Sequence, residues 1–151
     1  MIQNNGRVIV LEDDLVTSPY FLDFMNTALN FYRDTENVFT ICGYNHPPSL
    51  LKIPMDYPHD VFFTYRNSSW GWATWKDRWA KADWQVSDFS DFKNDRSSQK
   101  ALNRSGEDLS DMLIDQMEAR IDSWSIRWTY THFVHNALAL WPVHSFVNNI
   151  G

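Results

Sequence analysis

Apolar and polar residues along this chain fall into blocks that predict strands and helices in alternation. Residues 8–11 form an uninterrupted apolar run, which is typical of a strand covered on both faces and therefore of a mostly parallel sheet between helices. Ser18 and Pro19 then suit the cap and the first position of a helix. Helical spacing follows at Phe21, Phe24, Met25, Ala28, Leu29 and Tyr32. The pattern predicts an α/β fold with a mixed, mostly parallel sheet flanked by helices.

Later blocks continue this alternation. Three more apolar runs bounded by turn residues predict strands at 38–42, 60–65 and 139–143. Helical spacing recurs over 109–117 and again after Asp122 or Ser123. Between these blocks, residues 83–106 are polar with only scattered apolar positions. That composition indicates an excursion over the surface, with short helices or with mobility.

Length, charge and cysteine content narrow the possible classes of protein. A chain of 151 residues is long enough for one hydrophobic core, so we expect residues 1–151 to form a single domain. The formal net charge of -6 argues against a nucleic-acid partner, which usually meets a basic face. The single Cys42 excludes an internal disulfide and favours a reducing compartment. No apolar stretch reaches the roughly 20 residues of a membrane span, so we expect a cytoplasmic protein, at most peripheral to the inner face of the membrane.

Three adjacent acids, Glu12, Asp13 and Asp14, follow the first apolar strand directly. Ligands of open α/β sheets bind outside the carboxyl ends of strands, and neighbouring carboxylates raise one another's pKa unless a cation compensates. A divalent cation such as Mg²⁺ or Mn²⁺, bound by one or two carboxylates and by substrate phosphates, fits this position. The alternative is a solvated acidic turn, but the strand before it and the helix after it favour the metal site.

Eight tryptophans are the strongest anomaly of the composition, and five of them crowd into one short stretch. Trp72, Trp75 and Trp79 stand at helical spacing, so packing in the core is the favoured interpretation of Trp75 and Trp79. Trp70-Gly71-Trp72 is different, because a glycine between two large rings marks a sharp turn or a close approach to a ligand. Indole rings at the rim of a pocket suit a sugar or a nucleobase.

These segments together resemble a known family. The apolar strand with its Glu-Asp-Asp, followed by Ser18-Pro19-Tyr20-Phe21, is similar to the metal-binding segment of nucleotide-sugar-dependent glycosyltransferases of the GT-A fold. The narrower similarity is to the N-acetylglucosaminyltransferase I group and its bacterial relatives, whose Glu-Asp-Asp replaces the commoner Asp-X-Asp. Trp70-Gly71-Trp72-Ala73-Thr74-Trp75 resembles the Gly-Trp segment of that group. Residues 122–128, 140–142 and 147–151 resemble the later part of the bacterial members, and the matches run in family order.

The resemblance implies a partial GT-A, Rossmann-like domain that transfers a sugar from a nucleotide-sugar donor to a saccharide or glycoconjugate acceptor with inversion. Asp14 would bind the Mn²⁺ or Mg²⁺ that bridges the donor diphosphate and neutralises it as it leaves. Glu12 and Asp13 would contact ribose or sugar hydroxyls or orient the site. Further substrate contacts are implied at Trp70, Gly71, Trp72, Trp124 and Arg127, of which Arg127 would meet either a phosphate or a neighbouring carboxylate.

The general base for the acceptor hydroxyl is implied at Asp122, which matches an Asp-X-Trp position of the animal enzymes. The other interpretation of Asp122 is a cap of the helix that follows it. Asp111 and Asp115 lie one or two helical turns upstream and are the alternatives for the base.

The resemblance also implies further strands and helices that bind the nucleotide base and precede the Glu-Asp-Asp strand. Only seven residues precede Val8 here, so the chain is expected to be the metal- and acceptor-binding part of such an enzyme. A strand that lacks some of its neighbours exposes an unpaired edge, which favours pairing between chains. We therefore expect a homo-oligomer formed through strand edges.

Two other classes of function stay open on the sequence alone. The tryptophan content favours a non-catalytic sugar-binding module. Acids at a strand end also serve two-metal chemistry, as in a metal-dependent phosphoesterase. That class predicts more ligands at other strand ends, but among the histidines only His132 and His135 have a spacing that shares a helix face, where a structural role is favoured.

Overall fold

The computed structural model describes residues 2–151, without the side chains of residues 3 and 4, and contains both strands and helices. The strands are β1 (Arg7–Val10), β2 (Leu15–Thr17), β3 (Val38–Cys42), β4 (Val61–Thr64), β5 (Trp72–Trp75), β6 (Leu138–Pro142) and β7 (Val147–Asn149). The helices are α1 (Ile2–Asn5), α2 (Phe21–Phe31), α3 (Lys76–Trp79), α4 (Phe89–Asn94), α5 (Arg96–Leu102), α6 (Leu109–Met117) and α7 (Trp124–Val134), with a 3₁₀ turn at Asn103–Ser105. The predicted α/β class is confirmed.

Five strands form one mixed sheet in the order β1-β5-β3-β6-β4. Only β3 and β6 pair in parallel, and the other three pairings are antiparallel. The prediction of a mostly parallel sheet is therefore wrong. Its physical reason is that β1 and β3 do run in the same direction, but β5 enters between them from the opposite end. An apolar run shows that both faces of a strand are covered, and it does not encode the direction of the neighbouring strand.

β1 is an edge strand of this sheet. It pairs with β5 on one side only within the described residues, and its four residues are half-buried instead of buried as predicted. Val10 nevertheless packs against the aromatic side chains beneath α7, while Ile9 packs against the core beneath α2. Both faces of the edge strand are therefore in contact with apolar groups, which explains the uninterrupted apolar run.

The core lies on the two faces of the sheet. On one face, α2 buries Phe21, Met25, Ala28 and Leu29, as its helical spacing predicts. The helix begins at Phe21 and not at Pro19, and Ser18 does not cap it; the backbone N–H of Ser18 instead donates to the carbonyl of Phe146 (2.8 Å). On β3, all five residues are buried, and burial raises the pKa of the Cys42 thiol to about 12, which leaves this thiol unreactive.

On the other face, α7 lies between the sheet and a layer of helices. Trp128 and His132 of α7 face the sheet, while Ile126 and Tyr130 face α4, α5 and α6. The polar segment 83–106 contributes α4 and α5, and its buried side chains Val86, Phe92 and Leu102 belong to the same cluster as Leu109 and Leu113 of α6. The segment therefore does form short helices, and these enclose a second small core.

The tryptophan stretch is split between a strand and a helix. Residues Trp72–Trp75 form β5, and only Lys76–Trp79 is helical, so the helical spacing of Trp72, Trp75 and Trp79 does not place them on one helix. Short apolar runs leave strand and helix undecided. The packing role expected for Trp75 and Trp79 is confirmed, because Trp75 is buried and Trp79 packs against four other tryptophans.

A two-stranded ribbon, β2 with β7, lies apart from the main sheet. It pairs Leu15 with Asn149 and Thr17 with Val147, which brings residues 147–151 next to the acidic turn. Among the helices of the described residues, none combines the length and the apolar character that a bilayer crossing requires.

Candidate functional site

The acidic turn joins β1 to β2 and is held by residues 149–151. The backbone N–H of Ile150 donates to the carbonyl of Asp14 (3.0 Å), and the Nδ2 of Asn149 donates to the Oδ2 of Asp14 (3.1 Å). The carboxylate also lies against Gly151, where an added Cβ would stand 2.8 Å from Oδ2. These contacts fix the orientation of the Asp14 carboxylate.

The second oxygen of that carboxylate has no protein partner. The Oδ1 of Asp14 is buried without a hydrogen bond, and no Lys or Arg within the described residues forms an ion pair with Glu12, Asp13 or Asp14. Burial and the nearby charge of Asp14 raise the pKa of Glu12, against a hydrogen bond from Ser69 that lowers it. A buried carboxylate oxygen without a partner is unfavourable, and a bound cation would satisfy it.

Beside Asp14 a cavity opens at the end of the main sheet where β1, β3 and β6 have their carboxyl ends. The loops that follow these three strands therefore meet there. The cavity has a volume of about 1330 Å³ and is lined by Asp14 after β1, by residues 44–48 after β3, by 143–145 after β6, and by most of the loop 51–60. It occupies the place where open α/β sheets bind their ligands.

Aromatic rings form one wall of this cavity. Trp70 and Tyr44 meet edge to face with ring centroids 4.7 Å apart, and Tyr44 meets His46 in the same way at 5.3 Å. His46 then stacks on Trp141 (5.4 Å), whose Nε1 donates to the carbonyl of Arg66 (2.8 Å). Trp70, Tyr44 and His46 therefore form an aromatic wall of the cavity, and the buried Trp141 behind them is fixed by a backbone hydrogen bond.

Gly71 allows the backbone to turn next to this wall. Its φ is +64°, and an added Cβ would stand 2.9 Å from the Cγ1 of Val147 and 3.2 Å from the Cε2 of Phe21. The carbonyl of Gly71 accepts a hydrogen bond from the N–H of Gly43 (2.6 Å). The glycine expected from the sequence to mark a close approach does so, but it approaches protein side chains, and it is not part of the cavity lining.

Of the expected sugar contacts, only Trp70 lines the cavity. Trp72 is 3% exposed and stacks on Trp124 (5.3 Å) within the aromatic cluster beneath α7. This placement corrects the expectation for Trp72: side chains alternate along β5, so its ring faces α7, whereas Trp70 precedes the strand. Trp124 is half-buried in the same cluster.

Arg127 also lies away from the cavity. Its guanidinium donates to the carbonyl of Trp84 (3.1 Å), and its Nε is buried without a partner. Arg127 therefore does not occupy a position that faces a phosphate, and it has no carboxylate partner within the described residues. Its side chain instead links α7 to the segment that precedes α4.

The candidate bases lie on α6 and on the segment just before α7. Asp122 is exposed, lies two residues before Trp124, and has no side-chain partner within the described residues; the cap position of α7 is Ser123. Asp115 pairs with Arg120 (2.6 Å), and Asp111 is exposed on α6. None of the three lines the cavity.

No preformed cage of metal ligands is found in the described part of the chain: no three His, Cys, Asp or Glu side chains are grouped to hold an ion. His132, one of the histidine pair, is fully buried and hydrogen-bonded to Thr40 (2.9 Å), which confirms its structural role. Mg²⁺ is commonly held by one or two carboxylates together with substrate phosphates, and Asp14 is compatible with that mode.

Comparison with known proteins gives no further guide to this site. No family model matches the sequence, and no curated protein matches it.

The sequence did not point to several residues of this site. The loop 51–60, which ends with Asp60, lines the cavity, and so does Asn149. One signal was present, since four of the six prolines fall between residues 47 and 58 and predict an irregular loop directly after a strand. Nothing in the local pattern connects Asn149 with Asp14.

Proposed function

We propose that this chain takes part in metal-dependent transfer of a sugar from a nucleotide-sugar donor to a saccharide acceptor, as part of a GT-A-like glycosyltransferase. The observation that carries the proposal is the buried, unpartnered Oδ1 of Asp14 beside a large cavity at the strand ends. Asn149 holds Oδ2 and leaves Oδ1 for the cation. A divalent cation bound there would stabilise the charge that develops on the departing diphosphate.

Glu12 has a role that does not require direct contact with the metal. Its carboxyl group is partly buried and hydrogen-bonded with Ser69. Burial and the nearby charge of Asp14 raise its pKa. In that position it would contact a hydroxyl of the donor or orient the site. Asp13 is exposed at the outer side of the turn and is available to a ribose hydroxyl.

Asp122 is the proposed general base. Its carboxylate has no partner within the described residues, and Trp124, two residues later, stacks on Trp72, which pairs with Val10 at the end of β1. The base is thus on a segment packed against the strand that carries the acidic turn. Asp115 is less suited, because its ion pair with Arg120 holds it.

A transfer assay tests this proposal. The protein is incubated with Mn²⁺, a panel of uridine and guanosine diphosphate sugars and a mixture of mono- and oligosaccharide acceptors, and acceptor-dependent release of nucleoside diphosphate is measured. We expect metal-dependent release that falls by about 10²-fold in Asp14→Asn, because a metal supplies several kcal/mol of charge stabilisation. Asp23→Asn, which removes an exposed acid from α2, is the matched control and should retain the activity. Release without metal, or equal release by Asp14→Asn, would contradict the proposal.

A non-catalytic sugar-binding module is the second candidate, and the aromatic wall of Trp70, Tyr44 and His46 favours it. It predicts saccharide binding that does not respond to Mn²⁺ or nucleotide and no release from any donor of the panel. The transfer assay and a saccharide titration therefore separate the two functions.

A further inference from the structure

The cavity extends across the whole main sheet. Asp14 follows β1 and Asp60 precedes β4, and these are the two edge strands of the five-stranded sheet. Both residues line the cavity. Four gaps of about 4.8 Å between neighbouring strands separate the two ends by about 19 Å. This span is several times the width of a single sugar ring, so the cation end leaves a second region free.

The end of the cavity next to β4 has its own set of binding groups. Tyr57 and His59 meet edge to face with ring centroids 5.5 Å apart, and the hydroxyl of Tyr57 donates to the carbonyl of Val61 (2.9 Å), which fixes the pair to the start of β4. The carboxylate of Asp60 and the ring nitrogens of His59 have no hydrogen-bond partner within the described residues. Both side chains are exposed and so can reach a ligand. Rigid rings therefore stand beside free hydrogen-bonding groups.

His46 stands between this end and Trp70. Its ring is held by stacking on Trp141 and by an edge contact with Tyr44, while its backbone N–H donates to the Oδ1 of Asn45 (2.8 Å). Neither ring nitrogen of His46 has a partner among residues 2–151. A ring fixed in this way can donate or accept a hydrogen bond without losing side-chain freedom on binding.

The charges of the cavity favour a neutral ligand at this end. Asp14 and Asp60 are its acids, and Lys52 is the single Lys or Arg among its described lining residues. At the β4 end a polyanion would meet the carboxylate of Asp60, with Lys52 as the one basic side chain of the described cavity lining to offset it. A saccharide suits the groups better, because its C–H faces pack on rings and its hydroxyls donate to a carboxylate.

From these observations we propose that the β4 end of the cavity, formed by His46, Tyr57, His59 and Asp60, is a binding subsite for a neutral acceptor saccharide of more than one sugar unit. The proposal rests on the proposed function for the identity of the ligand as acceptor. The acceptor would extend from this subsite past His46 toward the cation end. Asp60 would accept hydrogen bonds from hydroxyls, and His59 would provide a ring face.

Calorimetric titration with saccharides tests the subsite. The probes are glucose, galactose and N-acetylglucosamine with their di-, tri- and tetrasaccharides, added to the full chain without metal or nucleotide. We expect the best tetrasaccharide to bind about tenfold or more tightly than its monosaccharide, and Asp60→Asn and His59→Ala each to weaken it by about tenfold, the usual effect of losing a hydrogen bond to a charged group or a ring contact. His135→Ala, at an exposed histidine outside the cavity, is the matched control and should bind normally.

The outcomes separate this proposal from the proposed function. Asp14→Asn should lose Mn²⁺ and nucleotide binding but keep the affinity for saccharide. Saccharide binding that persists when Mn²⁺ and nucleotide do not bind would support the subsite and contradict the transferase. Absence of binding by every saccharide at millimolar concentration, equal affinity for monosaccharide and tetrasaccharide, or unchanged affinity in both Asp60→Asn and His59→Ala would overturn the subsite.

Discussion

The buried His132 should make the stability of the fold depend on pH. Its Nδ1 lies 2.8 Å from the carbonyl of Trp128, and its Nε2 lies 2.9 Å from the hydroxyl of Thr40, which also accepts from the Nε1 of Trp128 (2.9 Å). A carbonyl only accepts, so Nδ1 carries the hydrogen and Nε2 accepts from Thr40. The neutral ring is therefore fully satisfied, and a second proton would charge a side chain that has no contact with water.

The magnitude follows from the shift of this group. Burial, opposed by the Trp128 carbonyl and assisted by the charge of His135, lowers the pKa of His132 from 6.5 to about 4. The unfolded chain then binds the proton more tightly than the folded one, so the free energy of unfolding is unaffected above the unfolded pKa and decreases as the pH falls toward 4. At 1.36 kcal/mol per pKa unit, the loss is about 2 kcal/mol at pH 5 and about 3 kcal/mol below pH 4.

Urea unfolding followed by tryptophan fluorescence measures this loss. His132→Gln keeps a donor and an acceptor but cannot titrate, so comparing it with the natural protein at pH 7.5 and pH 5 cancels the contribution of the carboxylates. The natural protein should lose about 2 kcal/mol more than His132→Gln over this interval. His135→Gln, three residues away and exposed, should retain nearly the full loss, because the charge of His135 is the smallest contribution to the shift of His132. An equal loss in the natural protein and in His132→Gln would refute the reasoning.

Three further predictions concern packing, assembly and catalysis. Gly71→Ala should destabilise the fold by about 2–4 kcal/mol, because it adds a clash with Val147 to the cost of a positive φ, whereas Gly6→Ala, with φ +72° and open space, should cost about 1 kcal/mol in thermal unfolding. The chain should self-associate at micromolar concentration in sedimentation, and Phe63→Lys on the edge strand β4 should weaken this association. Asp122→Asn should reduce sugar transfer by roughly 10²-fold with donor affinity unchanged.

Each of these predictions has a contrary outcome. Equal effects of the two glycine replacements would mean that the contact with Val147 relaxes without cost. A natural protein that sediments as a monomer would show that neither edge strand pairs between chains. Normal turnover in Asp122→Asn, with loss in Asp111→Asn instead, would move the general base to α6.

Local patterns predicted those parts of the fold whose contacts are set by the periodicity of one element. The strand Val38–Cys42 and the buried stripe of α2 were found at the expected residues, because a continuous apolar run and a spacing of three and four are readable without knowledge of the neighbours. The acidic turn after β1 was also placed correctly, because it follows a strand end. Direction and order of the strands were not readable, since they depend on the path of the intervening chain.

The environment of Asp14 could not be predicted for a related reason. Its partner Asn149 lies 135 residues away, and the two meet only because β2 and β7 form a ribbon. The different environments of Trp70 and Trp72 depend on where β5 begins, and the helical spacing of the tryptophans there did not indicate a strand. The loop 51–60 has no hydrophobic periodicity, so its place in the cavity lining could not be predicted from the sequence.

The most direct test of a cation site at Asp14 is a calorimetric titration of Mn²⁺ into the protein, with and without uridine or guanosine diphosphate. We predict weak binding of Mn²⁺ alone, tighter binding in the presence of one of the nucleotides, and loss of both in Asp14→Asn, with Asp23→Asn unchanged. Binding of equal strength by Asp14→Asn, or no effect of either nucleotide on Mn²⁺ affinity, would contradict a nucleotide-assisted cation site at Asp14.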